Sequence, residues 1–168
     1  MNNMTYQDFL DQAAGHLDAL GYNPPQVAFK LSQDFGKDPE TIAQALYKQF
    51  HCTLPEIAGA LLSEDGLHLS VVDVIKIFKR IPEFQRIPWR NLALILCANR
   101  IANQSYEEVA QALNTATTLS YEGIAVIFRE LPFGLSLERL IQILRSPEGL
   151  GLSADDALEI VAKLDYCE

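Results

Sequence analysis

The chain has 168 residues, of which 49% are apolar, and a formal net charge of −9 at pH 7. This length suits one ordinary domain, and the apolar content excludes the class of chains that stay disordered for lack of a hydrophobic core. No apolar run approaches the roughly 20 residues that span a bilayer, and no basic and apolar leader pattern opens the sequence. We therefore expect a soluble, cytoplasmic protein without a membrane span.

A short repeat runs from the first residues to the last. Each copy opens with a residue suited to a helix start, and the copies lie about 16 residues apart, which leaves room for short helices and short loops. The ten openings are Thr5, Asn23, Asp38, Thr53, Ser70, Pro88, Ser105, Ser120, Ser136 and Ser153. We call each opening residue the cap and number positions within a copy from it, so that cap+4 is four residues later.

Apolar or small residues recur at cap+4, cap+5 and cap+8 of the copies, and alanine is the commonest residue at cap+5. Three such positions form one stripe on a helix but do not share one face of a strand. Ser, Thr, Asn and Asp at the cap accept hydrogen bonds from the first-turn amides of a helix. An acidic residue at cap+3 after Thr53, Ser70, Ser105 and Ser153 adds a complete or near capping box. The repeat predicts ten helices of roughly 10 to 12 residues.

Helices of this length need neighbours, so we predict an all-α chain whose helices stack as hairpins. An α-solenoid-like array is the favoured architecture, and a compact globular helical bundle is the alternative. The motifs that mark tetratricopeptide and ankyrin repeats are missing from the sequence, and we assign no family. Residues 1–168 are expected to form a single helical-repeat domain with an irregular basic joint at about 80–90.

This joint differs from the rest of the chain in its charge. Residues 76–100 carry six basic residues and one acidic residue, whereas both flanks are acidic. Pro82 and Pro88 end one helix and delay the next. The residues predicted to form a basic, aromatic-edged surface are Lys76, Lys79, Arg80, Arg86, Trp89 and Arg90.

Two interpretations of this surface remain open at the level of sequence. In the first, the cations cover a polar face or pair with acidic residues of adjacent helices, and Trp89 fills a gap left by the longer loop. In the second, they bind an unknown acidic protein partner, since Arg and Trp are frequent in protein interfaces. A nucleic acid or another polyanion is a less favoured partner, because the chain is acidic as a whole. The acidic flanks also allow association of two copies through the basic centre.

Patterns typical of catalysis or metal binding are not found in the sequence. His51 and Cys52 are neighbours, but adjacent helix residues point in different directions. His16, His51 and His68 lack the spacing of metal ligands, and the odd set Cys52, Cys97 and Cys167 has no CxxC spacing. We predict no enzyme activity, no cofactor and no metal site.

The function predicted from these patterns is that of a protein-interaction scaffold or adaptor. The alternatives are polyanion binding through the basic centre and binding of an apolar ligand between helices. The last is suggested by the apolar run at 92–98, in which we expect Cys97 to be a core residue.

Overall fold

The computed structural model describes residues 4–13, 21–97, 102, 104–130 and 132–165, and these residues form ten α-helices and no strand. The helices are α1 (Tyr6–Ala13), α2 (Pro24–Phe35), α3 (Pro39–Lys48), α4 (Leu54–Leu62), α5 (Val71–Arg80), α6 (Trp89–Cys97), α7 (Tyr106–Ala116), α8 (Tyr121–Arg129), α9 (Leu137–Arg145) and α10 (Ala154–Asp165). Each begins one residue after its predicted cap. The prediction of an all-α chain of ten short helices is confirmed.

The caps explain why the helices begin where they do. The side chain of Asp38, for example, accepts a hydrogen bond of 2.7 Å from the Thr41 amide. Reciprocal capping boxes form at Thr53 and Ser105, as predicted, and a third forms at Asn23. Because these bonds satisfy first-turn amides that have no partner within the helix, they fix the start of each short helix.

The apolar stripe forms the core. All ten cap+4 residues are buried, and so is every cap+8 residue except Ala13, whose side chain lies outside the described part of the chain. At cap+5 every alanine is buried as well, whereas Ile141 is half-buried and Leu158 of α10 has 54% of its surface exposed. Alanine at cap+5 lets neighbouring helix axes approach closely, since interaxial distance depends on the side chains at the contact.

The chain divides into two compact units, Met1–Arg86 with Arg100–Ala102, and Ile87–Asn99 with Asn103–Glu168. The first unit contains α1 to α5 and the second contains α6 to α10. The division falls within the segment that the sequence singled out as irregular. The prediction of one domain with a joint at about 80–90 stays a prediction.

From α2 to α5 and from α6 to α10, a helix packs against the next helix and the next but one within its unit. In the first unit, α2 contacts α3 and α4, and α3 contacts α4 and α5. In the second unit, α7 contacts α8 and α9, and α8 contacts α9 and α10. This pattern is that of a stacked helical array, and the choice between a solenoid and a bundle stays a prediction.

The two units repeat one five-helix module. The caps of α1 to α5 recur as the caps of α6 to α10 after 82 or 83 residues. The loop between α4 and α5 has the same hydrogen bonds as the loop between α9 and α10. The amides of Leu67 and Leu69 donate to the carbonyls of Ala60 and Leu61, and those of Leu150 and Leu152 donate to the carbonyls of Ile143 and Leu144.

The backbone conformation of these loops matches too. His68 has a φ of +51° and its counterpart Gly151 a φ of +63°. In the preceding loop of each module, His51 and Gly134 have φ values of +53° and +56°. A left-handed conformation is uncommon for residues other than glycine, and both histidines adopt it at positions where the second module has glycine.

Gly66 and Gly149 provide a test of this equivalence. A Cβ at Gly66 would overlap the backbone carbonyl oxygen of Ala60, and a Cβ at Gly149 would overlap that of Ile143. Each of these oxygens also accepts one of the loop hydrogen bonds. We expect Gly66→Ala and Gly149→Ala each to lower the free energy of unfolding by about 1–3 kcal/mol, as overpacking does. Urea denaturation measures the change.

Gly123→Ala is the control, because the nearest atom to its added Cβ is Ser120 Oγ at 3.3 Å and the residue lies in a helix. This variant should be more stable than either loop variant, since its Cβ meets one side-chain atom instead of a backbone carbonyl and alanine favours helix by about 1 kcal/mol over glycine. A Gly66→Ala or Gly149→Ala variant as stable as the wild type would contradict the loop geometry.

Candidate functional site

An open groove lies between the first turn of α3 and one face of α5, with a volume of about 430 Å³. It is lined by Asp38, Pro39, Glu40, Leu69, Asp73, Lys76, Ile77 and Arg80, and we call it the α3–α5 groove. Two of the six residues predicted from sequence, Lys76 and Arg80, therefore lie in one groove.

The charged side chains of this groove differ in whether they have partners. Arg80 Nη1 lies 3.2 Å from Glu40 Oε1, so these two charges compensate each other. Asp38 accepts from the Thr41 amide, and this hydrogen bond holds the pKa of Asp38 below its ordinary value. Asp73 accepts a hydrogen bond from the Ser70 hydroxyl at 2.9 Å.

Lys76 is different. Its side chain is exposed and makes no ion pair or hydrogen bond with the residues that the structure describes. Pro39, Leu69 and Ile77 add apolar surface to the groove beside it. A free ammonium group next to apolar surface suits a ligand with a carboxylate and an apolar group.

The other four predicted residues lie outside this groove. Lys79 donates from Nζ to the backbone oxygen of Gln85 at 3.3 Å, and burial lowers the pKa of its ammonium group. Arg86 is exposed in the loop that ends the first unit. Trp89 and Arg90 open α6 in the second unit, where Arg90 Nη1 lies 3.2 Å from Glu130 Oε2.

The second unit has a corresponding groove between the first turn of α8 and α10, with a volume of about 260 Å³. It is lined by Tyr121, Glu122, Leu152, Asp156, Glu159, Ile160 and Lys163, and we call it the α8–α10 groove. Measured from their caps, these residues occupy the same positions as lining residues of the α3–α5 groove. These residues were not predicted from the apolar stripe; the signal that marks them is the recurrence of charged residues at matched positions of the copies.

An ion pair recurs at one of these shared positions. Glu40 at cap+2 of α3 pairs with Arg80 at cap+10 of α5, and Glu122 at cap+2 of α8 pairs with Lys163 at cap+10 of α10, at 3.1 Å. The hydrogen bond with Lys163 lowers the pKa of Glu122. Arg90 and Glu130 join α6 to α8 at the same two positions with the charges reversed. Arg80 and Arg90 thus each pair with an acidic residue that lies two helices away along the chain.

The cysteine and histidine side chains that the structure describes show no activated arrangement. Cys52 is buried, which raises the pKa of its thiol to about 11, while its neighbour His51 is exposed. Burial raises the pKa of the Cys97 thiol to about 12. Both thiols are therefore protonated, and poor nucleophiles, at neutral pH. His16 and Cys167 lie outside the described residues.

Among the described residues, no cluster of three or more histidine, cysteine or acidic side chains suited to a metal ion occurs, and no helix is long and apolar enough to cross a membrane. Comparison with protein-family models, with curated proteins and with solved structures gives no match.

A further ion pair joins α7 to α9 and is better shielded than the others. Arg139 binds both carboxylate oxygens of Glu107, at 2.5 and 3.1 Å, and its guanidinium lies 5.4 Å from the centre of the Tyr106 ring. The Glu107 side chain is only 17% exposed. The hydrogen bond with Arg139 lowers the pKa of Glu107 from its ordinary value of 4.5.

Because the pKa of Glu107 is lower in the folded state than in the unfolded state, its ion pair with Arg139 stabilises the fold above about pH 4.5. This stabilisation is lost as the pH falls through the pKa of Glu107 in the folded state. We expect Glu107→Gln to lower the free energy of unfolding by about 1 kcal/mol at pH 7, and less below pH 4.5. Denaturant titrations at several pH values measure this difference.

Glu40→Gln is the control, because the Glu40–Arg80 pair is more exposed. This variant should lower the free energy of unfolding by less than about 0.5 kcal/mol. Equal costs for the two variants, or a cost for Glu107→Gln that does not depend on pH, would contradict the role of the Arg139 pair.

Proposed function

We propose that the chain is a protein-interaction module that binds a short segment of another protein in the α3–α5 groove. The observation that carries this proposal is the exposed ammonium group of Lys76, which has no partner among the described residues and lies beside the apolar surface of Pro39, Leu69 and Ile77. The segment that fits this chemistry presents an acidic side chain next to an apolar one.

The size of the groove supports a segment rather than a folded domain. A volume of about 430 Å³ falls within the range of small-ligand sites and accommodates a few side chains. Acidic and apolar side chains of a peptide would contact Lys76 and the apolar surface together. Such recognition requires no change in the helices, whose starts are fixed by their caps.

The charges of the groove favour a peptide over a nucleic acid. Asp38, Glu40 and Asp73 line the same groove and Glu40 already compensates Arg80, so Lys76 can balance one carboxylate but not the many charges of a phosphate backbone. Binding of an apolar ligand near α6 stays a prediction, and Leu92, Ala93 and Leu96 of that run are buried core residues. Association of two copies through the basic centre also stays a prediction.

A phage-displayed library of random short peptides tests the proposal on the full-length protein. We expect panning to enrich peptides with an acidic residue next to an apolar one. Lys76→Glu should weaken the selected peptides about tenfold in fluorescence anisotropy, since the change removes an attraction and adds a repulsion worth roughly 1–2 kcal/mol together.

Arg145→Glu is the charge-matched control, because Arg145 is exposed on α9 and lies in neither groove. It should bind the selected peptides like the wild type, and circular dichroism should show both variants folded. Failure to enrich any acidic peptide, or equal binding by the Lys76→Glu variant, would refute the proposal. Binding of single-stranded DNA that weakens steeply with salt and is lost in Lys76→Glu would favour the polyanion alternative instead.

A further inference from the structure

The α8–α10 groove has the architecture of the α3–α5 groove but a different balance of charges. Leu152 and Ile160 occupy the positions of Leu69 and Ile77. Tyr121 stands at the position of Pro39, and 40% of its surface is exposed. The second groove therefore keeps the apolar surface of the first and adds an aromatic wall.

The grooves differ in charge at two positions: Asp38 at the cap of α3 has the uncharged Ser120 as its counterpart, and the sign of the charge changes at cap+6. This position is Lys76 in α5 and Glu159 in α10. Glu122 and Lys163 compensate each other at 3.1 Å, as their counterparts do in the first unit. Glu159 is 70% exposed, and its nearest cation is the same Lys163 at the longer distance of 3.8 Å. The α8–α10 groove is thus lined by three acidic side chains and one basic side chain, whereas Lys76 gives the α3–α5 groove a second cation beside its three acidic side chains.

We propose that the α8–α10 groove is a second peptide site, which binds a segment with a basic side chain next to an apolar or aromatic one. The residue at cap+6 determines the preference, so that Lys76 selects an acidic residue in the first groove and Glu159 a basic residue in the second. The type of peptide is inferred from charge complementarity. A basic side chain would lie between Glu159 and Asp156, and the apolar residue next to it in the peptide would pack on Tyr121 and Ile160.

This inference extends the proposed function, because it assumes that the grooves of this repeat bind peptides. If both grooves bind peptides, the chain has two sites that prefer peptides of opposite charge. A partner that carries an acidic and a basic segment would engage both, provided that the spacing of its segments allows it, and its affinity would exceed that of either segment alone.

Panning the same random peptide library on the full-length wild type, Lys76→Glu, Glu159→Lys and Glu148→Lys proteins tests the inference. The wild type should enrich an acidic class and a basic class of peptides. Glu159→Lys should lose the basic class alone, with about tenfold weaker binding of its members in anisotropy, and Glu159→Gln should have an intermediate effect. Glu148→Lys is the matched control, since Glu148 is exposed in the loop before α10 and outside the groove.

The outcomes separate the two proposals. An acidic class without a basic class, or a basic class that survives Glu159→Lys unchanged, would refute the second site and leave the first intact. A basic class that depends on Glu159, without any acidic class, would support the second site and refute the first. If neither class is enriched, both proposals are wrong. Circular dichroism of each variant confirms that loss of binding does not reflect loss of folding.

Discussion

Burial of one narrow apolar stripe per helix is the constraint on which the rest of the structure depends. Helices of 8 to 12 residues are marginal by themselves, so each needs its cap+4, cap+5 and cap+8 residues covered by other helices. Packing on the next helix and the next but one provides that cover within each unit. The same packing brings the first turn of one helix beside the end of the helix two places later. Charged residues at these helix ends remain in contact with water, and there they form ion pairs and line grooves.

Local structure was predictable from the sequence because its causes are local. A cap residue acts on amides two or three positions away, and a stripe with helical spacing identifies the buried face without knowledge of what covers it. The caps therefore predicted the helix starts correctly, and the stripe predicted most core residues, with Leu158 as an exposed exception. The partners of the charged residues were not predictable in this way. Glu40 and Arg80 lie 40 residues apart, and their contact depends on how α3 packs on α5, which neither helix encodes alone. For the same reason, sequence spacing grouped Lys79 with Lys76 and Arg80, whereas the structure shows Lys79 bound to the loop that follows α5.

Because the five-helix module is repeated, the two grooves can be compared position by position. Because matched loops and matched ion pairs place equivalent residues at equivalent points, a difference between the grooves is a difference of side chains on one framework. The most consequential is the opposite charge of Lys76 and Glu159. Repeat proteins commonly keep the residues that stack and vary those on the surface. The fixed apolar stripe and the variable cap+6 residue of this chain follow that division.

The most direct test of this account is to map bound peptides on the isotopically labelled protein by NMR. An acidic peptide should shift the amide signals of the first turn of α3 and of α5, around Glu40 and Lys76, whereas a basic peptide should shift those of the first turn of α8 and of α10, around Glu122 and Glu159. Signals from residues of the buried stripes should change little. Shifts that cluster on helices outside both grooves, or that are the same for the two peptides, would contradict the claim that these grooves are the binding sites.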